Sequence, residues 1–74
     1  MRNNVYEDNP FVVARKAAGL LQREAAEALH VERATVAAWE TGRTMPRVAK
    51  LHEIARLYHC PVTSLIGEPE QAAQ

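Results

Sequence analysis

At 74 residues with one cysteine, the chain is a single small domain that can close no disulfide of its own. A formal net charge of zero counts against wholesale attraction to a polyanion. No apolar run approaches the roughly 18 residues of a membrane span, and the leading MRNNVYEDNP carries no signal-peptide h-region, so a soluble cytoplasmic protein is expected.

Hydrophobic residues make up 47% and aromatics only 5%, so the core must be aliphatic. Ala, Leu and Val dominate, with Glu and Arg between them, a composition that favours an all-α domain. The neutral total hides an uneven distribution. Arg15, Lys16, Arg23, Arg33, Arg43, Arg47, Lys50 and Arg56 face only Glu24, Glu27, Glu32, Glu40 and Glu53 across residues 11–60, a net of +3. The ends supply the balancing acid, Glu7, Asp8, Glu68 and Glu70 against Arg2. The middle of the chain is therefore mildly basic.

In chain order, residues 1–9 read as a polar arm. Asn9-Pro10 is a helix start, an N-cap followed by proline at the first helical position. A first helix is predicted from Pro10 to Ala18, stopped by Gly19. QREAAEAL, residues 22–29, is a second short helix, broken at His30 and Val31. A third covers about Glu32 to Thr41 and stops at Gly42. Met45-Pro46 marks a loop, because the residue before proline resists the α conformation. VAKLHEIARLYH forms a fourth helix with Val48, Leu51, Ile54, Ala55 and Tyr58 at apolar 3-4 spacing, ended by Pro61. A last turn over Val62 to Ile66, capped by Thr63, completes a domain spanning residues 10–67, and residues 68–74 are a polar tail. Five short helices with brief connections are expected to pack as a compact orthogonal bundle.

The second and third helices, joined by a tight turn at ALHVE, have helix-turn-helix spacing. Ala26, Leu29, Val31, Val36 and Trp39 fall where the two must pack together. Spacing alone is weak, since any small helical bundle contains such pairs. The residue pattern is more specific. Arg15, Gly19-Leu20, Gln22, Glu24, Ala26, Val31, Thr35, Val36, Trp39-Glu40, Gly42, Pro46, Ala55 and Leu65-Ile66 lie without a gap over residues 11–67. In that pattern the chain resembles the phage repressor/Cro-type (xenobiotic-response-element) helix-turn-helix family. There are departures. Leu21 stands where the family often has a capping Thr, His30 and His59 replace turn glycines, and Glu32 replaces a Ser. Histidine is among the residues that tolerate positive φ, so both turns can survive.

The resemblance implies a lambda-repressor-like fold that binds double-stranded DNA, with helix 3 in the major groove and its N-terminal part against base edges. Arg33, Ala34, Ala37 and Ala38 would form the reading surface. The alanines let the helix seat deeply and touch thymine methyls, and Arg33 has the donors for guanine O6 and N7. Gln22 resembles the family's phosphate-binding glutamine, and Thr35, Thr41, Arg43 and Thr44 join it as expected backbone contacts. In the family the positions of Arg15 and Glu40 form an ion pair. The pairing is physically reasonable here, because an inward carboxylate beside Trp39 needs a partner.

Other readings are plainer. Trp39 is core. Glu32 is a first-turn carboxylate favoured by the helix dipole, in preference to an acceptor for cytosine N4. Glu53 pairs with Lys50 or Arg56 on a solvated face. His30, His52, His59 and Cys60 lack metal-ligand spacing, so no metal or other cofactor is called for, and Cys60 fills a buried position. Thr63 and Ser64 have no base or orienting group, so no enzyme is read here. The expectation is a sequence-specific regulator, a repressor acting as a homodimer through Val62, Leu65 and Ile66. Two alternatives keep the fold. One is an antitoxin whose main partner is a toxin protein, held by the two tails. The other is an interaction module that has lost DNA.

Overall fold

The computed structural model describes residues 9–67. The expectations for the remainder of the arm and for the tail fall outside those residues. Among the described residues there are five helices and no strand, α1 (Pro10–Ala17), α2 (Gln22–Leu29), α3 (Arg33–Thr41), α4 (Val48–Tyr58) and α5 (Thr63–Ile66). The all-α bundle read from composition and spacing is the observed architecture.

Local chemistry explains the boundaries. Asn9, extended at φ −64° and ψ 130°, caps α1, its side-chain oxygen accepting from the Phe11 amide at 2.8 Å. It thus belongs to the fold, although its sequence context groups it with the arm. Pro10 follows at a position where its missing N–H costs nothing. Leu21 has no side-chain acceptor to cap α2. Glu24 reaches back instead and accepts from the Leu21 amide at 2.8 Å, half of a capping box. At α5 the cap position is Val62, not Thr63, and no side chain caps it. Thr63 is the first helical residue, with its carbonyl bonded to the Gly67 amide at 2.9 Å.

Four helices end in the same way. Gly19, His30, Gly42 and His59 each take the left-handed conformation, at φ 77°, 60°, 81° and 60°. In each case the next amide reaches back five residues: Leu20 to Arg15 at 3.2 Å, Val31 to Ala26 at 3.0 Å, Arg43 to Ala38 at 2.9 Å and Cys60 to Ala55 at 3.0 Å. This is the Schellman arrangement, which satisfies carbonyls the helix leaves free. Histidine fills the left-handed site twice, as its tolerance of positive φ allows.

The core contains Phe11, Ala25, Ala26, Leu29, Val36, Trp39, Leu51, Ile54, Ala55, Tyr58 and Leu65. Trp39 lies against Phe11, ring centroids 6.5 Å apart. Ala25 and Ala26 are small enough for α2 to press directly on α3, the most extensive pairing in the bundle. α1 packs on α3, α4 and α5, and α4 on α2. Lys50 ties α4 to the end of α2, donating to the Leu29 carbonyl and to Glu53, both at 3.0 Å. A cation there also suits the negative end of the α2 dipole. One apolar position of α4 departs from the expected stripe. Val48 is its first residue, lies past the reach of its neighbours and is 70% exposed.

Candidate nucleic-acid interface

α3 divides its side chains sharply. Val36, Trp39 and Glu40 are buried, Arg33 and Ala34 are exposed, and Thr35, Ala37 and Ala38 are half-buried. The four side chains expected to read bases therefore share the outward side of the helix. Thr41, Arg43 and Thr44 are exposed just beyond it, so this side continues into the following segment. A cleft of about 320 Å³ joins the two, lined by Ala34, Thr35, Ala38, Arg43 and Thr44.

A second cleft, of about 480 Å³, opens at the other end of α3 and is lined by Arg15, Leu21, Gln22, Arg23 and Arg33. Arg23 was not singled out from sequence. Its position next to Gln22 in the first turn of α2 was the available signal.

The outward side rests on a chain of four polar side chains. Arg15 is 8% and Glu40 3% exposed. Arg15 Nε donates to Glu40 Oε2 at 2.6 Å and Nη2 to Oε1 at 3.1 Å, a two-pronged contact between α1 and α3. Arg15 Nη1 donates to the Leu20 carbonyl at 2.8 Å, closing the turn before α2. The hydrogen bond to Glu40 raises the Arg15 pKa against the opposing cost of burial, so this guanidinium stays charged. Gln22 Nε2 donates to Glu40 Oε1 at 2.9 Å, and Arg33 Nη1 donates to Gln22 Oε1 at 2.8 Å. Nothing in the sequence pattern linked Gln22 to Arg33. Three helices are thus joined in one relay that begins in the core and ends at the surface.

The Schellman ends isolate Arg43. Leu20, Val31 and Cys60, each one residue past the left-handed position, pack against the core, as this motif favours. Arg43 holds the same place after α3 and is exposed. A cation thus stands beside the outward face of α3 at a place that the other helix ends give to a core-packed residue.

A helix-turn-helix family model matches residues 13–65. The chain belongs to the Cro/C1-type helix-turn-helix family. Searches of curated proteins and of solved structures find no match. This helix-turn-helix protein is accordingly a DNA-binding transcription regulator. No helix among its described residues is long and apolar enough to cross a membrane.

The side chains expected at a dimer surface separate. Ile66 is 48% exposed and Val62 half-buried, but Leu65 is 2% exposed and belongs to the core. On so short a helix only one side can face outward, and Leu65 holds the inner one. Cys60 is half-buried, and burial pushes its thiol pKa up. His30, His52 and His59 are exposed, and no three His, Cys, Asp or Glu side chains among the described residues gather as a metal site would require.

Proposed function

We propose that this helix-turn-helix regulator is a repressor that binds DNA as a homodimer, each copy laying α3 in the major groove. The observation that carries this reading is the outward side of α3. It is a smooth alanine surface, Ala34, Ala37 and Ala38, with Arg33 at one end and Arg43 just past the other. Small side chains allow close approach to base edges, and a methyl group matches the thymine methyl. Arg33 reads guanine. Thr35, Thr41, Arg43 and Thr44 hold the phosphates and set the register.

One long base-reading side chain per copy gives too few contacts for tight specific binding, so two copies act together. Ile66 and Val62, with Val13 of α1 at 53% exposure, offer apolar surface at the α1–α5 end of the bundle. A cleft of about 430 Å³ lined by Pro10, Val13, Ala14, Ala17, Cys60 and Ser64 lies there as well. Repression follows if the operator overlaps a promoter.

Selection of bound sites from random DNA at fixed salt tests the reading, since affinity depends on salt. The expected product is an inverted repeat with half-sites about 34 Å apart, or a multiple of that spacing. A single unrepeated half-site would remove the dimer. Binding without sequence preference would remove base reading by α3.

A further inference from the structure

Two carboxylates lie between residues 32 and 44, and they differ in every respect. Glu40 is buried and paired with Arg15, whereas Glu32 is exposed. Glu32 is the N-cap of α3, at φ −72° and ψ 150°, and its carbonyl accepts from the Thr35 amide at 2.9 Å. Its backbone is thus fixed one residue before Arg33, at the end of α3 that would meet base edges. Its side chain caps nothing. No cation holds it either. The ion pairs among the described residues are Arg15–Glu40 and Lys50–Glu53, and the adjacent Arg33 bonds Gln22. The free protein therefore gives this carboxylate no partner beyond the weak, solvent-screened pull of the α3 dipole.

A carboxylate in that place weakens attraction to DNA in general. It repels the phosphates of every sequence, while Arg33 and Arg43 attract them. The repulsion is offset only where the nucleic acid presents a hydrogen-bond donor, because a carboxylate can only accept. In the major groove the donors are the N4 amino group of cytosine and the N6 amino group of adenine. Adenine sets its N7 acceptor beside N6, so the second carboxylate oxygen would meet a lone pair there. Cytosine carries no acceptor of its own on that edge. Binding is thus disfavoured on most sequences and relieved at a cytosine, and the difference between the two is specificity.

We infer that Glu32 is a specificity-determining residue, which accepts from cytosine N4 in each half-site and holds down affinity for other sequences. The inference rests on the reading that α3 lies in the major groove. It sets an acidic reader next to the basic one, Arg33. Two polar readers per copy are still few, so the need for a second copy stands.

The test uses the full chain, with the selection above repeated on each variant at the same salt. Glu32→Ala should lower discrimination for cytosine at one position per half-site by about ten-fold, and it should raise affinity for random DNA. Glu32→Gln should move the preference at that position from cytosine to adenine, because an amide accepts from N6 and donates to N7. Neither a dipole role nor plain repulsion would change the preferred base. Thermal unfolding should show both variants folded, since the carboxylate is exposed. Affinity that rises alike on all sequences in both variants, with every base preference kept, would overturn the inference and leave Glu32 a repelling charge. Arg33→Ala separates that failure from failure of the underlying reading. If Arg33→Ala loses a guanine while neither Glu32 variant alters a base, Glu32 alone falls. If the unmodified chain selects no sequence, α3 is not the reader, and both readings fall together.

Discussion

Arg43 holds a position that three other helix ends fill with a residue packed on the core. Nothing in the fold requires a cation there, and its amide, not its side chain, closes the turn by bonding the Ala38 carbonyl. Arg43→Ala should therefore leave stability within about 0.5 kcal/mol, as for an ordinary surface substitution. It should weaken binding to all DNA sequences alike and lower the salt slope by about one unit per half-site. Titrations on specific and random duplexes at several salt concentrations check this, and an unaltered slope would take Arg43 out of the interface. Arg33 and Arg43 were both visible in the sequence as cations flanking an alanine helix. What the sequence did not show was the partner of Arg33. Gln22 is 11 residues away on another helix, and only the packing of α2 on α3 brings them together. The same holds for Leu65. A four-residue helix is too short for a periodic pattern that would show which side faces inward.

The helices themselves were legible because each is bounded by strong local signals. Asn9-Pro10 starts α1, and Gly19 and Gly42 stop α1 and α3 through their freedom at positive φ. The α2 and α4 ends are harder to read, since histidine does the work of glycine. Both histidines are exposed and held at φ 60°. The left-handed conformation costs an ordinary residue about 1–2 kcal/mol, and a glycine gives back roughly 0.5–1 kcal/mol of that in unfolded-state entropy. His30→Gly and His59→Gly should each stabilise the domain by about 0.5–1 kcal/mol. Urea unfolding should show a higher midpoint with the same slope. A lower midpoint would mean that the imidazole makes a stabilising contact. The start of α4 was less legible. Val48 fits the apolar period, yet periodicity cannot say where a neighbouring helix ends.

At the scale of the whole molecule, the relay joins α1, α2 and α3 around one buried carboxylate. Removing one partner of a buried pair leaves the other uncompensated and costs about 3–5 kcal/mol. A domain this small has little more than that in reserve. Glu40→Ala should thus be largely unfolded at room temperature by circular dichroism. Glu40→Gln, which keeps part of the hydrogen bonding, should be folded but less stable than the unmodified chain. The same carboxylate bears on Tyr58, a core residue only 3% exposed. Burial first, and then the negative charge of Glu40, push the Tyr58 pKa from 10.0 up to about 12, with Arg15 opposing. Below the unfolded value the phenol is neutral in both states, and its contribution to stability is complete. As pH rises from about 10 to about 12, the unfolded chain gives up the proton first, so unfolding is favoured over that window. A shift of this size corresponds to roughly 3 kcal/mol lost by the top of the window. Cys60, whose thiol burial also pushes up from 9.0, adds a decline of the same sign beginning lower. Comparison with Tyr58→Phe cancels that contribution, because both proteins keep Cys60. Urea unfolding from pH 9 to pH 12 should give parallel curves for the two proteins below about pH 10. Above it the unmodified chain should lose stability more steeply than Tyr58→Phe. Curves that stay parallel throughout would mean that the Tyr58 phenol ionises as easily in the folded domain as in the unfolded chain.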